Sequence, residues 1–353
     1  MKRSAVCLAA ALLALALTVQ GGEKVWPNGT PTIFVGFGAG GGTDTAVRPV
    51  IVEMEKYLGE TINVVNMPGA SSAVAAEHVM SQKNDGYSML STGTGIFGGY
   101  LVQGTGPNSY PWKWTSWFPL QGPGALLVNP AKSGINTMDE AIARLKAGTA
   151  SVGMAGFGNG PHVLMGTIAN LAGIKSEDVN YVTFDGDGGV AVAVYAGEVE
   201  LGIITFSAGI EHARAGNVKA LFVNQTEPMK LTDSITIPPI AQVFPAGKDL
   251  PMLAEAWGIL IRRDAPKRII DKLEEAFRHA VKQKSVLDYA ESKKLNVAAL
   301  SGEAADKMLD YQFSAYGWAM YEPGRADHTD PAAAGMVKPD KWNWEAEKKK
   351  YGY

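Results

Sequence analysis

Cysteine is almost absent from this chain: Cys7 is the single one in 353 residues, and it falls within the first apolar stretch. Met1-Lys2-Arg3 precedes an apolar run from Ala5 to Val19, which ends in small and polar residues. A short basic start followed by such a run is typical of a secretory signal peptide, which we place at residues 1–22. The exported chain would then contain no cysteine, and this excludes disulfides, a thiol nucleophile and cysteine metal ligands.

An excess of basic charge and any grouping of histidines are missing as well. The chain has 32 Lys and Arg residues against 35 Asp and Glu, and loss of Lys2 and Arg3 would bring the net charge from −3 to −5. This balance gives no reason to expect a nucleic-acid partner. The five histidines form no H-x-x-x-H or H-E-x-x-H pattern, so a metal site has no local support. No later stretch is long and apolar enough to cross a bilayer.

What the sequence does contain is an alternation of strand-like runs and helical patterns. The alternation predicts an α/β fold with mainly parallel sheets, and the roughly 330 residues of the exported chain suggest two domains. The strand-like runs are Thr32–Phe37, Ile62–Asn66, Ser88–Thr92, Ala125–Asn129, Ala150–Ala155, Val179–Phe184, Leu201–Thr205 and Lys219–Asn224.

Two amphipathic patterns predict long helices. One starts near Ala46, with Thr43 or Asp44 as its N-cap, and the other follows Asp264, which would cap it. Four aromatic residues interleaved with prolines predict an irregular loop, either packed in the core or forming a wall for an apolar ligand body: Trp112, Trp114, Trp117 and Phe118.

Four glycine-rich turns, none with a lysine or arginine, each join a strand-like run to a helix. Glycine permits close approach of a ligand to the backbone, and a helix start offers unpaired N–H groups and partial positive charge. The pattern therefore predicts a cradle for an anion. We call these the first turn (Gly38 to Asp44), the second turn (Pro68 to Ser72), the third turn (Gly156 to Pro161) and the fourth turn (Asp185 to Gly189).

Three other uses of these turns have less support. The first turn and Gly36 satisfy G-x-G-x-x-G, but the second strand ends in Asn66-Met67-Pro68, without the acidic residue that holds a ribose in dinucleotide-binding folds. A phosphate-binding P-loop needs lysine after the last glycine, and Thr43 follows Gly42 instead. The run Gly69 to Ala73 approaches a nucleophile elbow without its final glycine, so an exported hydrolase of small esters or amides is the alternative.

Taken together, the motifs resemble the periplasmic substrate-binding proteins of tripartite tricarboxylate transporters, the TctC or Bug family. The resemblance covers roughly residues 30 to 320. The segments that carry it are Ile33 to Asp44 with Arg48, Asn66 to Ala70, Asn84 to Leu90, Gly156 to His162, Val182 to Gly186, Gly197 to Glu200 and Gly216 to Leu221.

The resemblance implies a type II-like periplasmic binding protein whose two lobes, each a mainly parallel sheet flanked by helices, close on a ligand in the cleft between them. Lobe 1 is expected at residues 23–124 plus 240–320 and lobe 2 at 125–239. Beyond the resemblance, residues 323–340 are rich in proline, glycine and alanine, which predicts a C-terminal tail at 321–353, either draped over the body or docking a partner. The resemblance implies a receptor and not an enzyme, without cofactor or metal and expected to be a monomer. The ligand would be a small organic acid, such as a di- or tricarboxylate, an aromatic acid or an amino acid, delivered to integral membrane transporter subunits.

Carried over position by position, the resemblance also names the ligand contacts. Asp44 and Asp185 have helix capping as an alternative role, and His162 has packing at a helix start. This chain has Gly36 where the family usually has proline, and Ser71-Ser72 where it often has a second glycine pair. The expected contacts are Phe37, Gly40, Gly41, Thr43, Asp44, Ala70, Ser71, Ser72, Gly158, Asn159, His162 and Asp185.

Overall fold

The computed structural model describes residues 26–102, 104, 108–248, 254–321 and 328–353. The predicted signal peptide, residues 1–22, lies outside these ranges. No helix within them is long and apolar enough to span a membrane.

Strands and helices alternate along most of the chain. The strands are β1 Thr32–Val35, β2 Asn63–Asn66, β3 Ser88–Gly93, β4 Trp114–Gly122, β5 Gly124–Val128, β6 Ser151–Met154, β7 Asn180–Thr183, β8 Leu201–Thr205, β9 Lys219–Val223, β10 Met229–Lys230, β11 Thr236–Ile237, β12 Glu255–Arg262 and β13 Asn296–Leu300. The helices are α1 Gly42–Leu58, α2 Ala73–Ser81, α3 Ile96–Val102, α4 Pro130–Ser133, α5 Met138–Lys146, α6 Gly160–Leu171, α7 Asp187–Ala196, α8 Ile210–Arg214, α9 Ile240–Val243, α10 Lys267–Ala280, α11 Lys284–Ser292, α12 Gly302–Met320 and α13 Trp344–Tyr351.

Two sheets define the two lobes. The sheet of lobe 1 has the order β13-β4-β12-β3-β1-β2, and the sheet of lobe 2 has the order β7-β6-β8-β5-β9. Each sheet carries one apolar core on either face, so helices flank both sides. The predicted two-lobed α/β architecture is confirmed.

The expectation of mainly parallel sheets is wrong, because each sheet is parallel in one half and antiparallel in the other. In lobe 1, β1 pairs in parallel with β2 and β3, whereas β12 pairs antiparallel with β3 and β4. In lobe 2, β6 pairs in parallel with β7 and β8, whereas β5 runs antiparallel to β8 and β9. The sequence patterns missed β4, β12 and β13, which form the antiparallel half of lobe 1.

The aromatic segment predicted as an irregular loop is strand β4. Trp114, Trp117 and Phe118 are buried in it. Pro119 follows these aromatic residues and has no N–H group to donate to a neighbouring strand. The pairing of β4 with β12 shifts its register between Trp257 and Ile259, opposite this proline. A bulge tolerates a residue without an N–H donor, so the proline does not end the strand.

Two predicted helix caps are also wrong. Helix α1 begins at Gly42 with Gly41 as N-cap, because the Asp44 side chain accepts a hydrogen bond from the Gly40 amide, outside the helix. Helix α10 follows Pro266, while Asp264 pairs with Arg262 at 2.9 Å.

The described part of the C-terminal tail packs on lobe 1. The Trp342 and Tyr353 side chains both donate to the Asp310 carboxylate of α12, at 2.8 and 2.9 Å. Tyr351 stacks on Trp112 with ring centroids 3.6 Å apart. The draped arrangement, one of the two predicted alternatives, is therefore observed for residues 328–353.

Candidate functional site

The four glycine-rich turns follow two directly paired parallel strands in each lobe. The first and second turns follow β1 and β2, and the third and fourth turns follow β6 and β7. The carboxyl ends of parallel strands share one edge of a sheet, and this edge is where open α/β sheets bind ligands. Each lobe therefore presents a pair of turns at one edge.

The two edges face and touch each other. The Gly38 amide donates to the Asp185 carbonyl oxygen at 2.9 Å, and Ser71 Oγ donates to the Phe157 carbonyl oxygen at 2.9 Å. A Cβ atom on Gly99 would lie 2.4 Å from the Gly158 carbonyl oxygen, so glycine is required for this approach. The cleft between the lobes is closed around two internal spaces.

The larger space, which we call the open cavity, has a volume of about 360 Å³. This size suits a small ligand. Four of the predicted contacts, Phe37, Ala70, Ser71 and Asp185, line it. The full lining is Gly36, Phe37, Pro68, Gly69, Ala70, Ser71, Ala155, Gly156, Phe157, Thr183, Phe184 and Asp185.

The second turn has two unpaired backbone amides at residues that line the open cavity. It is a short 3-10 helix, Ala70–Ser72, with left-handed φ values of 43° and 50° at Ala70 and Ser71. The Ser72 amide donates to the Gly69 carbonyl oxygen at 3.0 Å. Within the described ranges the amides of Ala70 and Ser71 donate to no protein acceptor. These two N–H groups are available to an anion.

This chain departs from the family pattern at Gly36 and at Ser71-Ser72, and the two departures meet where Gly36 packs against Ser72. A Cβ atom on Gly36 would lie 1.8 Å from Ser72 Oγ. Ser72 is fully buried, and it lines neither internal space. A proline at position 36 would bring such a Cβ atom, so the serine at position 72 requires the glycine at position 36.

The smaller space, which we call the inner cavity, has a volume of about 20 Å³ and has room for about one water molecule. Three of the expected ligand contacts, Gly41, Thr43 and Asn159, line it, and Phe37 lines both spaces. The full lining is Phe37, Gly41, Gly42, Thr43, Ala155, Asn159, Pro161, Gly186, Asp187, Thr205, Glu255 and Trp257.

Two helix N-termini from opposite lobes meet at the inner cavity. In α1 the first intrahelical bond runs from the Thr45 amide to the Gly41 carbonyl oxygen, and in α7 the corresponding region starts with Gly189 to Gly186. The amides before these positions have no intrahelical acceptor, and the helix ends carry partial positive charge. The arrangement favours negative charge between the lobes.

The Asp44 carboxylate makes its hydrogen bonds and its ion pair within lobe 1. It accepts the Gly40 amide at 2.9 Å and Asn66 Nδ2 at 3.0 Å, and Arg48 lies 2.6 Å away. Burial raises the pKa of Asp44, but the hydrogen bonds from Arg48, the Gly40 amide and Asn66 outweigh it and hold the pKa below its ordinary value. Asp44 and Gly40 line neither cavity, and Asp44 is not the helix cap of the alternative prediction either, because Gly41 is the N-cap of α1.

His162 and Gly158 form local hydrogen bonds at the start of α6. The Gly158 amide donates to His162 Nδ1 at 3.1 Å, and the His162 amide donates to Asn159 Oδ1 at 2.9 Å. The His162 ring packs edge-to-face against Phe157 and Tyr181. It lines a separate cavity of about 410 Å³ and neither space in the cleft.

A buried carboxyl group from lobe 1, Glu255, faces the inner cavity and was not predicted. Its Oε1 atom accepts the Gly95 amide at 3.4 Å. Burial raises the pKa of Glu255 to about 8, the nearby Asp187 charge adds to the rise, and the amides of Gly95 and Gly160 oppose it. The side chain is therefore mostly protonated at neutral pH.

A second buried carboxyl group, Asp187, comes from lobe 2. Its Oδ2 atom accepts the Thr205 amide at 2.9 Å. Burial raises the pKa of Asp187 to about 6, although hydrogen bonds from Thr205 lower it. The two lobes thus each place one carboxyl group beside the same cavity.

Comparison of the sequence with known proteins identifies the family of this chain. The family model described as tripartite tricarboxylate transporter family receptor (TctC) matches residues 46–317. The chain belongs to this family. BugT of Bordetella pertussis is 24% identical to the receptor over 267 residues, which are 72% of this chain and 77% of BugT. A UPF0065 protein of Cupriavidus necator is 26% identical over 283 residues, 79% of this chain and 83% of that protein.

Solved structures share the fold of the receptor. MatC of Rhodopseudomonas palustris, solved with bound malate, has a TM-score of 0.75 at 23% identity, covering 84% of this chain and 100% of MatC. A second R. palustris protein, solved with adipate, has a TM-score of 0.75 at 18% identity, covering 89% of this chain and 99% of that one.

Sequence patterns pointed to the neighbourhood of one of the two buried carboxyl groups, Asp187, and not to that of the other, Glu255. Asp187 lies within the fourth turn, between Gly186 and Gly188, so the turn was found and the role of this residue was not. Glu255 begins β12, a strand that the patterns missed, and no spacing or motif marks it.

A larger cavity lies outside the cleft. It has a volume of about 710 Å³ and is lined by residues of lobe 2 around β9, β11 and the start of α5. None of the four glycine-rich turns contributes to it. The cleft is the candidate functional site because helix N-termini from both lobes meet there, beside the unpaired amides of the second turn.

Proposed function

We propose that this receptor binds a small organic acid between its two lobes in the periplasm and delivers it to the membrane subunits of a tripartite tricarboxylate-type transporter. The observation that carries the proposal is the convergence of four strand-to-helix turns from two lobes on one cleft. Family membership supports the transport role, and the predicted signal peptide supports export.

A carboxylate group would bind to backbone donors in the open cavity. The positive charge opposite the carboxylate would come from the partial charges of the Ala70 and Ser71 amides and of the helix N-termini of both lobes nearby. No lysine or arginine side chain is required. Each charge-assisted hydrogen bond contributes roughly 1.5–3 kcal/mol net. A few of them suffice for micromolar affinity, about −8 kcal/mol, after the ordering costs.

We assign the predicted contacts in two groups. Those that line the cleft, Phe37, Gly41, Thr43, Ala70, Ser71, Asn159 and Asp185, are proposed to contact the ligand. Gly40, Asp44, Ser72, Gly158 and His162 are proposed to hold the turns in shape.

We further propose the lobe boundaries given above, with lobe 1 at 23–124 plus 240–320 and lobe 2 at 125–239. The assignment of strands to the two sheets supports them, except that α9 packs in a core of lobe 2, so the return to lobe 1 falls after this helix. Closure of these lobes around the ligand would create the form that the transporter recognises.

The direct test is binding of the purified protein to a panel of di- and tricarboxylates, aromatic acids and amino acids, followed by native mass spectrometry. We expect a bound acid that is recovered unchanged. An ester or amide consumed on incubation would instead support the hydrolase alternative. Solution scattering should show a smaller radius of gyration with ligand than without it.

A further inference from the structure

Four residues outside the two internal spaces of the cleft join the lobes. Lys293, which follows α11, donates from Nζ to Glu211 Oε1 of α8 at 2.7 Å. Arg214, the last residue of α8, donates to the carbonyl oxygen of Ser292, the last residue of α11, and also to Glu211 Oε1 at 3.1 Å. We call Glu211, Arg214, Ser292 and Lys293 the interlobe bridge. None of the four lines either internal space.

The interlobe bridge connects two helices that are held in different lobes. Val286 and Ala290 of α11 are buried in a core of lobe 1, whereas Ile210 and Ala213 of α8 are buried in a core of lobe 2. Because each helix is packed into its own lobe, a rotation of one lobe relative to the other would change the distances between the bridge atoms. The observed bonds therefore belong to the arrangement in which the cleft is closed.

The charges in the interlobe bridge are complementary. Glu211 accepts from two cations, and Arg214 also reaches the C-terminus of α11, where unpaired carbonyl oxygens carry partial negative charge. The hydrogen bond from Lys293 holds the pKa of Glu211 below its ordinary value, although burial opposes it, so the carboxylate is charged at neutral pH. Lys293 and Arg214 are 25% and 27% exposed and Glu211 is 61% exposed. Solvent and salt therefore screen the pair in part.

The elements that carry the interlobe bridge also carry walls of the inner cavity. In lobe 2, Thr205 ends β8 and lines this cavity, and the chain continues from it through a 3-10 helix, Phe206–Ala208, into α8. In lobe 1, α11 packs against α1, whose first residues Gly42 and Thr43 line the same cavity. A movement that opens the cavity would thus displace the elements that hold the bridge.

We propose that Glu211 is a positioning residue for ligand retention: its bond to Lys293, together with the bond from Arg214 to Ser292 that it orients, holds the lobes closed and slows release of the bound acid. This inference rests on the proposed function and adds to it a residue that contacts no ligand. A bond that exists only between closed lobes stabilises the bound state and leaves the encounter with the ligand unchanged. Its loss should therefore act on the dissociation rate.

The test compares release of one acid from the unaltered receptor and from Glu211→Gln and Lys293→Met. The probe is whichever of malate, adipate, citrate, benzoate and L-glutamate binds the unaltered receptor most tightly. Stopped-flow tryptophan fluorescence would follow its release, since Trp257 lines the inner cavity. At an ionic strength of about 0.01 M we expect each variant to release the acid roughly two- to fivefold faster and to associate at the same rate, as for a partly exposed ion pair.

Two further results would identify the ion pair as the cause. The double variant should release the acid no faster than Glu211→Gln alone, because both substitutions break the same pair. At an ionic strength of about 1 M, where the Debye length is about 3 Å, the release rates of the unaltered receptor and the variants should converge.

Asp271→Asn is the matched control, because Asp271 pairs with Lys267 at 2.6 Å within α10 alone, and it should leave the release rate unchanged. Melting temperatures establish that each variant folds, and either bridge substitution suffices for the test. A lower melting temperature with an unchanged release rate, or equal release rates in all the proteins, would overturn the inference and leave the proposed function standing. If none of the five acids binds the unaltered receptor, the proposed function itself fails, and the inference fails with it.

Discussion

The two spaces in the cleft share Phe37 and Ala155 but differ in the groups that face them. The open cavity is lined by small residues of the glycine-rich turns, three phenylalanine rings and the carboxylate of Asp185, whereas the inner cavity is lined by the Phe37 and Trp257 rings and the two buried carboxyl groups of Glu255 and Asp187. Unpaired backbone amides of Ala70 and Ser71 belong to the open cavity, whereas the inner cavity combines two buried carboxyl groups with two helix N-termini. The two spaces of one cleft therefore differ in the titratable groups that they bury.

The largest effect should come from closing the space around Glu255. In Gly160→Ala, the new Cβ atom would lie 2.2 Å from Glu255 Oε2, so the lobes could not reach the same closed arrangement. We expect ligand affinity to fall by roughly a hundredfold or more. Titration and solution scattering would measure this, with Gly29→Ala as the control because a Cβ atom there makes only an ordinary contact. Normal affinity and closure in Gly160→Ala would show that Glu255 does not lie at the lobe contact.

The two carboxyl groups should make the ligand-free protein less stable as the pH rises. Burial raises the pKa of Glu255 from 4.5 to about 8 and that of Asp187 from 3.8 to about 6. Between these values the folded protein holds protons that the unfolded chain has released, so the free energy of unfolding decreases with rising pH. We expect the melting temperature to fall by several degrees between pH 5 and pH 8.

Glu255→Gln should flatten this pH dependence, since glutamine does not titrate. The contribution of Glu255 is fully present below about pH 4.5 and is lost as the pH rises through about 8. Thermal melts of both proteins across this range provide the comparison. An equal slope in the variant would contradict the assigned pKa.

Gly36 and Ser72 should behave as one unit. Gly36→Ala places a Cβ atom 1.8 Å from Ser72 Oγ and is expected to destabilise lobe 1 by about 1–3 kcal/mol. Ser72→Gly should recover much of this loss, because it removes the obstructing hydroxymethyl group and suits the left-handed φ of 85° at this position. Denaturant unfolding of the two single variants and the double variant would measure the coupling. Simple additivity would contradict the contact.

The smallest effect should come from the hydroxyl group at the open cavity. Ser71 Oγ donates to the Phe157 carbonyl oxygen across the lobes, so Ser71→Ala removes one bond of the closed form. We expect affinity for the bound acid to weaken about three- to tenfold. Ser234→Ala, in an exposed loop of lobe 2, is the control. A variant with unchanged affinity would remove this hydroxyl from the site.

In lobe 1 the predictable part of the sheet is its parallel half, whereas in lobe 2 the antiparallel strands β5 and β9 were predicted as well. Strands β1, β2, β6 and β7 end in glycine-rich turns, and this combination marks both the element and the edge at which ligands bind. The antiparallel half of lobe 1 carries no such mark. Strand β4 contains Pro119, and it forms only because a bulge removes the need for an N–H donor there.

Glu255 could not be found from sequence for a related reason. Its importance comes from Gly93, Gly95 and Gly160, which lie far from it in the chain and are brought together only by the fold. Conversely, the positions of His162 and Asp44 at the glycine-rich turns predicted ligand contacts. In the structure, local hydrogen bonds with Gly158 and Gly40 engage these two side chains at helix starts.

A crystal structure of the receptor with the tightest-binding acid of the panel tests the central claim most directly. The account predicts a carboxylate in the open cavity, within hydrogen-bond distance of the Ala70 and Ser71 amides, between closed lobes. An acid bound in the cavity of about 710 Å³ on lobe 2, with the cleft empty, would contradict it.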